Sequence, residues 1–275
     1  MAKTLNPIFN SIDSFFFDCD GVLWEGDSVF TYTKKIIAFL QSLKKKIFFI
    51  SNNSTQSVEQ YKMKFKNFGI NISSYQIMIS SFATVKYIQS LNNNIKNVFI
   101  VGEEGLISSF ESAGFNVFNR QKNFNNYREI EAVIVGMDRT ITYDKLTTAI
   151  RSIDRGALFI GTNPDPTFPT GDGIAPGAGS IIGAIARALN KEPKKICGKP
   201  DPLMANLLIE NKNLGISKEK TVMIGDRVTT DMIFASNAEI KGILVKNTGF
   251  GSEELKKFPS FPFYSILNDI SDIMI

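Results

Sequence analysis

Phe15-Phe16-Phe17-Asp18-Cys19-Asp20-Gly21-Val22-Leu23-Trp24 joins an apolar run to two carboxylates spaced i and i+2, followed at once by a glycine. A strand buried on both faces reads as an unbroken apolar run, so this stretch predicts a parallel strand over 14–18 whose two acids leave its carboxyl end close together. Two acids that close can bind a hard cation, and their ionisation states can be pushed apart. One can then serve as an anionic nucleophile while the other handles protons. Gly21 allows a sharp turn and a close approach of ligand to the main chain. The same residues also fit a strand ending in an acidic turn, and the rest of the chain decides between the two.

Outward from this strand, short apolar runs alternate with helical patterns, the signature of βαβ units and a parallel sheet. Ile36, Phe39, Leu40 and Leu43 share a helical face, and Ile47-Phe48-Phe49-Ile50 is a second buried strand stopping at Ser51-Asn52-Asn53-Ser54. Tyr61, Phe65 and Phe68 recur at helical spacing before Gly69, a helix stop. The polar tract Asn92-Asn93-Asn94 reads as a linker. Beyond it, strands at 98–101, 132–135 and 157–160 and helices near 104–113 and 143–153 make a second α/β unit. A glycine-rich loop over 171–179 then leads to a helix over about 178–189. Cys197-Gly198-Lys199-Pro200-Asp201, a helix over 203–212, the strand 221–224 ending in Gly225-Asp226-Arg227, and a last strand at 243–245 complete the pattern. The second unit reads as an insertion, because polar elements of similar character lie on both sides of it.

Composition narrows the chemistry. The chain has 275 residues, 43% hydrophobic and 21% charged, which is globular rather than disordered. The net charge of +4 is small and scattered and argues for no nucleic-acid partner. No apolar stretch approaches the ~20 residues needed to cross a bilayer. The first eleven residues lack the pattern of a signal peptide, and the two cysteines suggest a reducing, cytoplasmic setting. Histidine is absent altogether, which removes Ser-His-Asp and Cys-His mechanisms, histidine-ligated zinc and a phosphohistidine. Acid–base work falls to carboxylates, lysine, cysteine or water.

Strand-end carboxylates, a strand-end Ser/Asn, a Gly-Lys-Pro and a second strand-end carboxylate pair are four polar elements from distant segments, and they can converge beyond the carboxyl ends of the strands, where open α/β sheets bind ligands. Asp18 can attack phosphorus, and Asp20 can protonate the leaving oxygen and then activate water. Ser51 and the Asn52 amide can hold phosphoryl oxygens, Lys199 can neutralise charge, and Asp226 can complete a Mg²⁺ site with Asp18.

These residues, in this order, resemble the haloacid dehalogenase (HAD) superfamily. Its D-x-D-G-x-L motif matches Asp18 to Leu23, its strand-end Ser matches Ser51, its lysine matches Lys199, and its G-D-x(4)-D motif matches Gly225-Asp226 with Asp231. Asp18-Cys19-Asp20-Gly21-Val22-Leu23-Trp24, Ser51-Asn52-Asn53-Ser54, Gly161-Thr162-Asn163-Pro164-Asp165 and Pro176-Gly177-Ala178-Gly179-Ser180 are similar to the branch holding p-nitrophenyl, phosphoglycolate and pyridoxal phosphatases. The resemblance implies a Rossmann-like core over 1–91 and 194–275 with an inserted α/β cap, a substrate-specificity domain, over 92–193. It implies Mg²⁺ held by Asp18, Asp226 and the backbone carbonyl of Asp20, with Asp231 in support. It also implies phosphate contacts from Ser51, Asn52, Asn53 and Lys199, a substrate-facing loop carrying Asn163 and Phe168, and a homodimer through the cap. The expected reaction is hydrolysis of a small phosphorylated metabolite such as phosphoglycolate. A phosphoprotein phosphatase of the same fold and a non-catalytic binding protein are the rival readings. Lacking histidine, the chain also lacks the one that pyridoxal phosphatases often carry near the position of Phe168. Trp24 reads as packing, Cys19 as an inert small residue and Gly177-Ala178-Gly179-Ser180 as a structural turn.

Overall fold

The computed structural model describes residues 3–91, 94–120, 127–170, 173–246 and 249–275. The chain forms two compact units. The first comprises Met1–Ser51, Tyr61–Met78 and Lys199–Ile275, and the second Asn52–Gln60 and Ile79–Gly198.

The first unit is built on a six-stranded sheet ordered Ser265–Leu267, Lys241–Val245, Thr221–Gly225, Ser14–Asp18, Lys46–Ser51, Ile77–Ile79. Ser14–Asp18 is the pivot. The chain first builds outward on one side of it, then returns to build on the other, so the order reverses between Ser14–Asp18 and Thr221–Gly225. These two strands pair in parallel, from Ser14 opposite Thr221 to Phe17 opposite Ile224. In open α/β sheets such a reversal leaves a crevice at the carboxyl ends of the two strands.

All five residues of Ser14–Asp18 are buried, which is why the run shows no polar alternation. Phe15 and Phe17 stack on one face with centroids 6.2 Å apart, and Phe9 covers Phe15 at 5.5 Å. Phe16 meets the edge of Phe48 on the other face at 5.5 Å. At about 1.5–3 kcal/mol for each buried phenylalanine, this packing holds the strand, and hence Asp18 at its end, firmly in place. In Lys46–Ser51, Ile50 lies opposite Asp18, so Ser51 emerges at the same edge one step further on.

The second unit carries a five-stranded sheet, with Lys195–Ile196, Leu158–Gly161, Ala132–Val135, Asn97–Val101 and Asn116–Val117 all paired in parallel. Val101, Val133, Val135 and Phe159 from the sheet pack with Ile153 of the helix Tyr143–Asp154 and Ile185 of the helix Ala178–Leu189. The architecture is α/β, a Rossmann-like parallel core carrying an inserted α/β unit. Among the described residues no helix is long and apolar enough to cross a membrane.

Several elements differ from the sequence reading. Thr167–Thr170, in the loop expected to face substrate, and Gly173–Pro176, in the glycine-rich loop, pair as antiparallel strands rather than irregular loop, and residues 171 and 172 of the glycine-rich loop lie outside the described residues. Prolines hide such a ribbon because they are tolerated only where no ladder donor is needed, as in a two-stranded edge pairing. The helix expected over 203–212 stops at Ile209, and the third strand of the second unit is Leu158–Gly161, one residue later than the apolar run suggested. Of the tract read as a linker, Asn92 and Asn93 lie outside the described residues.

Candidate active site

The switch point of the first unit gathers four charged residues from three distant segments. Asp18 closes its strand, Asp226 follows the end of Thr221–Gly225, and Asp231 lies in the π-helical turn Val228–Met232. Each offers a carboxylate oxygen within 4.8 Å of the others. The Lys199 ammonium bridges two of them, donating to Oδ1 of Asp18 at 2.5 Å and to Oδ1 of Asp231 at 2.6 Å. The second oxygen of Asp231 accepts the Arg227 N–H at 3.2 Å, so the wide turn is tied back on itself and its carboxylate aimed at the lysine. Single π-turns of this kind recur at functional sites.

Two glycines create the space. Gly21 sits at φ +87°, a backbone region that side chains disfavour, and a Cβ there would stand 2.4 Å from Oδ2 of Asp226. A Cβ on Gly225 would stand 2.3 Å from Cγ of Asp231. The glycine after the first acid pair and the glycine before Asp226 are therefore what let the carboxylates approach one another.

One buried lysine does not balance three carboxylates. Burial pushes the Asp18 carboxyl well above the usual range; Lys199 opposes the rise, and Asp231 and Asp226 reinforce it. Burial pulls the Lys199 ammonium down, but the charges and hydrogen bonds of Asp18 and Asp231 outweigh it and hold this lysine above its ordinary value. Lys199 is thus a fixed cation, and with Asp226 the cluster keeps an excess of negative charge.

Asp20 stands apart from this cluster. Its carboxylate is exposed, and its Oδ1 accepts the indole N–H of Trp24 at 2.9 Å. Ser51 is buried, its Oγ 2.9 Å from the Tyr61 hydroxyl. Burial, then the nearby Asp20 charge, raises the Tyr61 phenol well above its ordinary value, so it stays neutral. The sequence marks Trp24 as packing and Tyr61 as one step of a helical repeat, and neither signal says where a polar tip ends. Cys19 and Cys197 are both buried, and burial followed by the Asp18 and Asp20 charges pushes the Cys19 thiol well up.

Asn52, Asn53, Asn163 and Phe168 belong to the second unit. Asn52 donates its amide to Asp165 at 2.9 Å, and its carbonyl accepts the Asn163 amide at 2.9 Å. Asn53 accepts from the Thr55 N–H at 2.8 Å and the Thr55 hydroxyl at 2.7 Å, forming a local turn. Phe168 is half-buried in the hairpin, opposite Ala175. Asp138 closes a local turn through Thr140 and pairs with Lys145 at 2.7 Å.

The same fold recurs in known proteins. The haloacid dehalogenase-like hydrolase family matches residues 15–116, and the related HAD-hydrolase-like family matches residues 196–273. The chain is 35% identical over 260 residues to the chloroplastic phosphoglycolate phosphatase 1A of Arabidopsis thaliana, covering 88% of this chain and 71% of that one. It is 32% identical over 283 residues to the 4-nitrophenylphosphatase of Schizosaccharomyces pombe, covering 96% and 94%. Among solved structures, the 4-nitrophenylphosphatase of Thermotoga maritima superposes with a TM-score of 0.87 at 27% identity, covering 97% of both chains. The chain belongs to the haloacid dehalogenase-like hydrolase family. Within that family it stands among the phosphoric monoester hydrolases.

Proposed function

We propose that this enzyme hydrolyses small phosphate monoesters by phosphoryl transfer to Asp18, with Mg²⁺ as its cofactor. The observation carrying the proposal is the buried, lysine-bridged group of Asp18, Asp226 and Asp231 at the sheet's switch point. Its donors are hard oxygens with excess negative charge, in a space that a Cβ at Gly21 would fill. Asp18 and Asp226, with the Asp20 backbone carbonyl and Asp231 in support, would hold the ion, which supplies charge neutralisation at the phosphoryl oxygens.

The chain's own residues carry the steps. An oxygen of Asp18 forms a bond to phosphorus as the ester P–O bond breaks, and Asp20 gives its proton to the departing oxygen. Asp20 then takes a proton from water as that water's oxygen bonds to phosphorus. The Asp18–phosphorus bond breaks, and phosphate leaves with both aspartates restored. Lys199 orients Asp18 and offsets charge on the transferring group, while Ser51, Asn52 and Asn53 hold phosphoryl oxygens.

The inserted unit, with Asn163 and Phe168, is proposed to select the substrate. Phosphoglycolate is the favoured class of metabolite and p-nitrophenyl phosphate an artificial one, in line with the names of the relatives. A cytoplasmic location and a homodimer formed through the inserted unit belong to the same reading. Phosphate release from these two esters, with Mg²⁺ and then with excess chelator, tests it. Turnover restored by Mg²⁺ and suppressed by Ca²⁺ is expected, because calcium takes more ligands at longer distance; full activity in chelator removes the metal assignment.

A further inference from the structure

We infer that Trp24 is a positioning residue that orients the carboxylate of Asp20 for proton transfer, an assignment resting on the phosphatase reading above. Asp20 is exposed at the exit of the first strand, where an unrestrained aspartate would sample several rotamers. The indole Nε1–H of Trp24 fixes it through Oδ1 at 2.9 Å. The donor is itself immobile. Trp24 is fully buried, with Phe65 edge-on at 5.0 Å, Phe68 at 5.6 Å, Tyr61 at 6.2 Å and the Lys64 ammonium 4.7 Å above the ring. Its main chain is closed onto the acid's own turn, the Gly21 N–H donating to the Trp24 carbonyl at 2.8 Å and the Leu23 N–H to the Cys19 carbonyl at 2.9 Å.

The choice of an indole has a chemical reason. Its N–H only donates and does not titrate in water, so it aligns a carboxylate without competing for the proton being moved. With Oδ1 held, Oδ2 is the oxygen that gives its proton to the leaving group and later takes one from water. Packing alone would ask only for a large apolar ring, and phenylalanine would serve.

The two accounts separate by leaving group. A general acid matters most where the departing oxygen is basic and little where it leaves readily as an anion. Loss of the indole N–H should therefore slow alkyl phosphates selectively, whereas loss of packing slows all esters alike. Trp24 is the chain's only tryptophan, so biosynthetic replacement by β-(3-benzothienyl)alanine exchanges one N–H for sulfur at one position and keeps the ring. This protein, Trp24→Phe and Asp20→Asn are compared with wild type across a series of aryl and alkyl phosphates with Mg²⁺, and their folding is checked by thermal melts.

The benzothienyl protein should keep its Tm, lose about tenfold in kcat/KM on alkyl phosphates, and change less than about twofold in kcat/KM on p-nitrophenyl phosphate, since kcat/KM reports only the steps up to departure of the leaving group and not the later attack of water. Trp24→Phe should show the same steeper leaving-group dependence, and Asp20→Asn the steepest. Equal loss of kcat/KM across the series, or no loss, in the benzothienyl protein while Asp20→Asn remains steep overturns the positioning role and leaves the phosphatase reading standing. A flat response in Asp20→Asn, or a wild type inert on every ester, overturns the acid role of Asp20 or the phosphatase reading itself, and this inference with it.

Discussion

Gly21 shows how much of the site is set by one residue's missing side chain. The sequence suggested a tight turn there; the structure adds that the vacant Cβ position is filled by the Asp226 carboxylate from a segment some 200 residues away. Gly21→Ala is disfavoured twice, by its φ of +87° and by a 2.4 Å clash, and should cut turnover by about 10²-fold or more, with a weakened response to Mg²⁺. Titrating Mg²⁺ into the variant while following phosphate release checks this. Asp18→Asn should lower turnover by about 10⁴-fold or more, since an amide is a poor nucleophile. The melt should show no comparable loss of stability, because burial already disfavours this carboxylate and its replacement leaves Lys199 paired with Asp231. Near-normal activity in that variant would sink the covalent route. At this scale, residue types and spacing pointed to Asp18, Asp226 and Asp231, which the fold brings together, but not to the partners of Asp20 and Ser51, because the indole N–H of Trp24 and the hydroxyl of Tyr61 belong to residues whose burial alone accounts for their place in the sequence.

Elements were legible in proportion to their apolar periodicity. The strand Ser14–Asp18 and the helix Ala178–Leu189 fall where the pattern puts them, while the paired strands Thr167–Thr170 and Gly173–Pro176 escape it because proline masks short paired strands. The loop and helix beginning at Glu103 illustrate a tie that no local pattern announces. Arg139, from another segment of the same unit, donates Nε and Nη2 to the Glu103 carboxylate, each at 2.7 Å. The Arg139 hydrogen bond, opposed by burial, holds Glu103 below its ordinary 4.5. A folded-state value below the unfolded one gives stability that is present above about pH 4.5 and lost as pH falls through the lower folded value. Because Arg139 is largely exposed, the pair should contribute under about 1 kcal/mol. Glu103→Gln should thus lower Tm slightly at pH 7 and match wild type near pH 3; a deficit unchanged at low pH would show that the charge is not what counts. In the helix Val58–Asn67, Tyr61→Phe removes the hydroxyl that meets Ser51 and should cost about 1 kcal/mol while raising KM for phosphate esters.

At the scale of the whole molecule, folding assembles the charge cluster from residues up to 213 positions apart, Asp18 to Asp231. A cation that binds only the folded chain should raise Tm, by about 2.7 kcal/mol of stability at a hundred times its Kd, and Asp226→Asn should abolish the rise. Connectivity places a second constraint on the molecule. The chain crosses between its two units four times, at Ser51–Asn52, Gln60–Tyr61, Met78–Ile79 and Gly198–Lys199, and at the first and last of these crossings two proposed phosphate-contacting residues, Ser51 and Lys199, are peptide-bonded to the second unit. That insertion was legible because polar motifs of like character flank a complete α/β pattern; which individual side chains bond to one another was not, since no local pattern encodes contacts across a hundred residues. A unit inserted between motifs of one site is suited to reading the substrate rather than performing the transfer. Small esters should therefore be hydrolysed far better than phosphoserine in an intact folded protein, by about 10²-fold or more in kcat/KM, because binding energy from a selecting element is realised only with substrates it can accommodate. Asn163 and Phe168 provide the sharper test. Asn163→Ala removes the amide bonded to the Asn52 carbonyl and Phe168→Ala trims the hairpin, so each should reorder kcat/KM among small esters. Single-turnover phosphorylation of Asp18 by p-nitrophenyl phosphate should change less than that ranking does. A folded phosphoprotein that matched the best small ester, or variants that left the ranking untouched, would remove substrate selection from the inserted unit and leave the chemistry at Asp18 intact.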